Sequence, residues 1–127
     1  MKILMAFFIT LIGIVAYYAL TKPLAVRVAL PMRSLISMDE VYESSPNGDY
    51  LHCIRAKASE AEFDQFTDEL MLHEVKNLVG SRHHCDAEWW DKNFYAENVS
   101  GRDDNTSESS SYASYRNGFV FYISWSS

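Results

Sequence analysis

The sequence predicts an α+β protein. An N-terminal transmembrane helix leads into a small antiparallel sheet packed on one amphipathic helix, with a β-hairpin at the C-terminus. Three observations carry this reading. Residues 3–21 hold no charged side chain, Ser59-Glu60-Ala61-Glu62 has the form of a helix capping box, and Asn117-Gly118 separates two aromatic runs. The 127 residues fit one small domain, and 48% hydrophobic with 22% charged residues is ordinary folded composition rather than disorder.

The first element is MKILMAFFITLIGIVAYYALTK. As a helix, its uncharged part is ~28 Å long at ~1.5 Å per residue, close to the ~30 Å hydrocarbon core of a bilayer. Tyr17, Tyr18 and Lys22 stand where interfacial anchors would. A cleaved signal peptide is the alternative, but Ile14-Val15-Ala16 and Ala16-Tyr17-Tyr18-Ala19 match its small-residue cleavage rule poorly. Residues 1–22 are therefore expected as a signal anchor, with the membrane as partner through residues 3–21. The flanking charges, Lys2 on one side and Lys22, Arg27 and Arg33 on the other, favour neither orientation cleanly. An even pair of cysteines suits an oxidising compartment, so the domain is expected outside the cytoplasm, in the periplasm.

Without residues 1–22 the balance is nine basic against 17 acidic residues, a net charge of −8. Nucleic-acid binding needs clustered Lys and Arg, and no such cluster exists here. Residues 23–48 are read as a juxtamembrane segment or linker. Pro23 and Pro31 punctuate it, and Met32, Leu35 and Ile36 would share one face of a short helix.

Residues 49–127 are read as the α+β domain. Ser44-Ser45-Pro46-Asn47-Gly48-Asp49 is a turn signal, and residues 50–57 after it read as a strand. Tyr50, His52, Ile54 and Ala56 share one side of that strand, and Ile54 with Ala56 marks it as the core side. In the capping box the Ser59 hydroxyl accepts from the Glu62 amide, while the Glu62 carboxylate reaches back. Phe63, Phe66 and Leu70 then form one apolar helical stripe, with the helix running from about Glu60 to Leu72 or on to Leu78 before Gly80 ends it. Residues 98–111 are apolar-poor and read as a mobile polar loop. The Asn117-Gly118 turn pairs Arg116 with Phe119, Tyr115 with Val120 and Ala113 with Tyr122. Phe119, Phe121, Ile123 and Trp125 share one face of the last strand and are expected against the helix.

The order of the strand with Cys53-Ile54-Arg55-Ala56-Lys57-Ala58-Ser59, the capped helix, Trp89-Trp90 and the hairpin of Tyr115–Ser124 resembles small exported or membrane-anchored bacterial proteins of uncharacterised function. The likeness covers residues 49–127. It implies a similar small α+β fold and a bacterial envelope setting, and it implies no activity.

The chemistry-bearing residues concentrate in Gly80–Trp90. His83, His84, Cys85 and Asp86 are candidate metal ligands, but zinc sites favour spaced pairs, and adjacent histidines in extended chain point apart. A Cys85–His52 nucleophile pair lacks the electropositive surroundings a thiolate needs, since Asp86, Glu88 and Asp91 stand nearby. A Cys53–Cys85 disulfide would tie the strand to this loop across 32 positions. One of Trp89 and Trp90 is expected in the core and the other exposed, where with Asp86, Glu88 and Asp91 it forms a candidate partner-binding surface. No motif asks for a cofactor. The function expected is a membrane-anchored, non-enzymatic envelope protein that binds another protein, as an inhibitor or immunity protein does. The alternatives are an accessory subunit of a membrane complex, and a metal-binding protein or enzyme using the His83–Asp86 region.

Overall fold

The computed structural model describes residues 1–21, 24–75, 83–96, 98–103 and 109–126. It is an α+β fold in which six antiparallel strands form one sheet. In chain order the elements are α1 (Lys2–Thr21), α2 (Leu24–Val28), α3 (Met32–Ile36), β1 (Asp39–Ser44), β2 (Tyr50–Lys57), α4 (Glu60–Glu69), β3 (His73–Glu74), β4 (Val99–Asp103), β5 (Ser109–Arg116) and β6 (Phe119–Ser126). The strand order is β1-β2-β6-β5-β4-β3, so β2 lies beside β6 although most of the domain separates them in sequence.

The anchor expected at the N-terminus is corrected here. Among the described residues, no helix is long and apolar enough to cross a membrane. The transmembrane helix, the membrane as partner and the signal-anchor role rested on that span and are not supported, and the periplasmic placement of an anchored domain, argued further from the cysteine pair, is not supported either.

Local chemistry explains several elements. The Ser44–Asp49 turn joins β1 to β2, with the Gly48 amide donating to the Ser45 carbonyl at 3.1 Å and Gly48 at φ 88°. At α4 both halves of the capping box form: the Glu62 amide donates to Ser59 Oγ at 3.2 Å, and the Ser59 amide donates to Glu62 Oε1 at 2.9 Å. The helix ends at Glu69, and Met71 at φ 55° turns the chain into β3, so α4 stops short of Leu72. Gly80, the expected terminator of a longer helix, lies outside the described residues. Asn117-Gly118 makes the β5–β6 hairpin with the register read from sequence: Arg116 opposite Phe119, Tyr115 opposite Val120 and Ala113 opposite Tyr122.

Residues 98–111 depart from the loop reading. Val99–Asp103 form β4, which pairs with β5 from Val99 opposite Ser114 to Asp103 opposite Ser110. Residues 104–108 lie outside the described residues. Gly101 permits this pairing, because a Cβ there would stand 2.2 Å from Tyr112 Cδ1. The Tyr112 ring occupies that space and stacks on Trp125 at 5.5 Å.

The sheet is buried on both faces. On one, Phe66 of α4 packs with Ile54, Ala56, Ala113, Val120 and Tyr122. Val26, Ala29 and Leu30, within and just after α2, join the same cluster, and Ser34 of α3 donates to the Lys57 carbonyl at 2.5 Å. More than one helical segment therefore covers this face. On the other face, residues 83–96 form an irregular cover that places Cys85, Trp90 and Phe94 over Cys53, Val99, Phe121, Ile123 and Trp125. Phe121, Ile123 and Trp125 thus lie opposite to the face expected for them. The register decides this: Val120 stands beside Ala56 and Tyr122 beside Ile54, so these two meet the helix.

Candidate functional site

One end of the helix-covered face is polar. The register sets Tyr42, His52, Ser124 and Ser111 in a row across β1, β2, β6 and β5, with Arg102 of β4 beside Ser111. Because side chains alternate along strands, these groups share one face with Tyr50 and Tyr122.

His52 is the most enclosed of them, with no exposed surface. Its Nε2 lies 2.7 Å from Glu40 Oε2, and its ring stands edge-on to Tyr42 and Tyr122 at 5.2 and 6.2 Å. Arg27 Nη2 donates to both Glu40 oxygens, at 2.6 and 2.7 Å. Burial alone would raise the Glu40 carboxyl. The hydrogen bond and charge of His52, joined by the charge and hydrogen bonds of Arg27, outweigh it and lower the pKa from 4.5 to about 2. Glu40 is thus held ionised, and the network ties α2 to β1 and β2.

Beside this network lies a cavity of about 180 Å³ lined by Val26, Tyr50, Leu70, Leu72, Arg102, Ser111, Tyr122 and Ser124. Its hydroxyls form a connected row. Tyr50 Oη is 3.0 Å from Ser124 Oγ, Ser124 Oγ is 3.0 Å from Ser111 Oγ, and Tyr122 Oη donates to Ser111 Oγ at 3.4 Å. Burial pushes the Tyr122 phenol up from its ordinary value, so it stays protonated and able to donate. Arg102 is exposed at the rim and has no ion-pair partner among the described residues.

The residues singled out from sequence fall elsewhere. His83 and His84 are exposed and diverge, His83 lying 4.9 Å from the Trp125 ring and His84 5.3 Å from Tyr95. Asp86 is exposed, and Cys85 is buried on the opposite side of the sheet from His52. No group of three or more His, Cys, Asp or Glu side chains able to hold a metal exists among the described residues. The metal-binding reading of His83–Asp86 is therefore overturned, because consecutive residues of this extended segment send their side chains in different directions.

Trp90 is buried against Phe94 and Phe121, while Trp89 is half-buried with the Arg55 guanidinium 5.9 Å from its ring. Asp91 pairs with Arg116 at 3.1 Å, and Glu88 is exposed. The protein-partner role attached to these residues finds no support in this arrangement. Cys53 and Cys85 do come together: both thiols are free and buried in the same apolar cluster.

Sequence reasoning missed the pocket. Ser111 and Arg102 fall in the stretch read as a loop, and Ser124 has no role assigned from the sequence. The available signal was the alternation that puts Tyr50 with His52 on one side of β2 and Tyr122 with Ser124 on one side of β6, two pairs that only the β2–β6 register, with His52 opposite Ser124, unites.

No known protein family, no curated protein and no solved structure matches the chain. The resemblance to exported or membrane-anchored bacterial proteins finds no support in these comparisons. The roles built on it and on the anchor, an envelope protein or an accessory subunit of a membrane complex, are likewise unsupported.

Proposed function

We propose that the protein binds a small polar anion, carrying a carboxylate or phosphate group, in the pocket lined by Tyr50, Ser111, Tyr122, Ser124 and Arg102. The observation that carries this reading is the row of four mutually hydrogen-bonded hydroxyls ending at an arginine without an ion-pair partner among the described residues. Hydroxyls can turn their protons toward a ligand oxygen, and a guanidinium supplies fixed donors and the compensating charge. A volume of about 180 Å³ is room for about six water-sized groups, at ~30 Å³ each. Inorganic phosphate or a short carboxylic acid fits that space and a drug-sized molecule does not. Val26, Leu70 and Leu72 supply an apolar wall that strengthens the charged contact by excluding water.

The test is calorimetric titration of the full chain with inorganic phosphate and, separately, with a short dicarboxylate. One of them is expected to bind saturably at one equivalent per chain. Arg102→Gln should weaken that binding at least tenfold, and Tyr50→Phe should weaken it less. Absence of saturable binding with both probes, or unchanged affinity in Arg102→Gln, overturns the reading.

A further inference from the structure

On the opposite face, the structure assigns Cys53 and Cys85 as a redox lock: a disulfide between them fastens the irregular 83–96 cover to the central strands of the sheet. The inference is independent of the anion pocket, which uses other residues on the other side. Three observations meet here. The two cysteines are buried in one apolar cluster although 32 positions separate them in the chain. Cys53 sits on β2, which has a neighbour on each side, so that end of the bond is held rigidly. Cys85 belongs to a segment without strand or helix, secured by single turns such as Trp90 N–H to the Ala87 carbonyl and Phe94 N–H to the Asp91 carbonyl. A covalent link between them therefore constrains a segment that no strand or helix ladder holds.

The order of the chemistry follows from access. Cys53 has no exposed surface and Cys85 has 7%, so a reagent reaches Cys85 first. With a small-molecule disulfide such as oxidised glutathione as oxidant, the Cys85 thiolate attacks one sulfur. The S–S bond of the oxidant breaks, one glutathione thiol leaves, and a mixed disulfide forms at Cys85. The adjacent Cys53 thiolate then displaces the second glutathione. The chain loses two protons and two electrons, and the oxidant is reduced to two thiols. Burial holds both protein thiols above their ordinary pKa, so the exchange is slow and brief exposure to oxidant leaves the lock open.

The test equilibrates the full chain with oxidised glutathione and reads intact mass, a non-reducing peptide map and the thermal midpoint. The expected result is loss of two hydrogens from the monomer, a single Cys53–Cys85 linked peptide and a raised midpoint that a reductant reverses. Cys53→Ser should instead accumulate one glutathione on Cys85, since the resolving thiol is gone. Two thiols that still alkylate fully after denaturation, or a stable glutathione adduct on the wild-type chain, would overturn the assignment using the wild-type protein alone. A linked peptide without any change in midpoint would sink the locking role.

Discussion

Glu40 Oε2 and His52 Nε2 lie 2.7 Å apart across neighbouring strands, and the carboxylate is shared with Arg27 of α2. The contact joins an edge strand, an inner strand and a helix through one half-buried acid. The folded pKa of Glu40, about 2, lies below its ordinary 4.5. A depressed carboxyl stabilises the fold above its unfolded pKa, and that stabilisation is lost as pH falls through the window from 4.5 to about 2. Solvent screening of this half-buried group reduces the contribution to about 1–2 kcal/mol. Denaturant unfolding at stepped pH should therefore show a steep acid limb in that window. Glu40→Gln should be less stable near neutral pH and have a shallower limb. Parallel acid limbs in the two proteins would contradict this account.

Gly101 and Tyr112 face one another across β4 and β5, and the ring fills the space where a Cβ would be. Gly101→Ala forces either the ring or the strand to move. A loss of about 1–3 kcal/mol is expected, as for other overpacked cores. The Tyr112–Trp125 stack should be disturbed as well, which near-UV circular dichroism would register. Unchanged stability would mean that the ring moves without cost.

Trp90 and Trp89 are adjacent but unequal. Trp90 is buried among Phe94 and Phe121, so Trp90→Ala should cost about 3–5 kcal/mol by chemical unfolding. Trp89 is half-buried and contacts the Arg55 guanidinium, so Trp89→Ala should cost about 1 kcal/mol. Equal losses would contradict the placement of Trp90 in the core.

Ser59 completes a cap in which both reciprocal hydrogen bonds form. Ser59→Ala should destabilise by about 0.5–2 kcal/mol, whereas Ser59→Asp should retain most of the stability. The comparison separates loss of the capping acceptor from mere loss of a hydroxyl. Equal destabilisation by both substitutions would argue against the cap as the cause.

The elements legible in the sequence were those made by neighbours in the chain. The start of α4 is set by Ser59 and Glu62, three positions apart. The β5–β6 register is set by Asn117-Gly118, and the β1–β2 connection by a six-residue turn signal. Each rests on hydrogen bonds that close within a few residues, so composition and spacing suffice to read them. β4 was hidden because Ser100, Gly101 and Arg102 carry little intrinsic strand preference, and pairing with β5 supplies what propensity does not.

The tertiary structure alone decided which face of each strand meets which cover. β6 is buried on both sides from Val120 to Trp125, so its alternation points to no preferred core face. Only its pairing with β2 sends Val120 and Tyr122 to α4, and Phe121, Ile123 and Trp125 to the 83–96 cover. The same long-range pairing brings Ser124 beside His52 and assembles the hydroxyl row. Long-range packing of the 83–96 cover on the other face sets Cys85 against Cys53. Local hydrogen bonding can be read from a chain because its partners are near in sequence. The pocket and the thiol pair join groups far apart in the chain, and burial of both sheet faces is what brought them together.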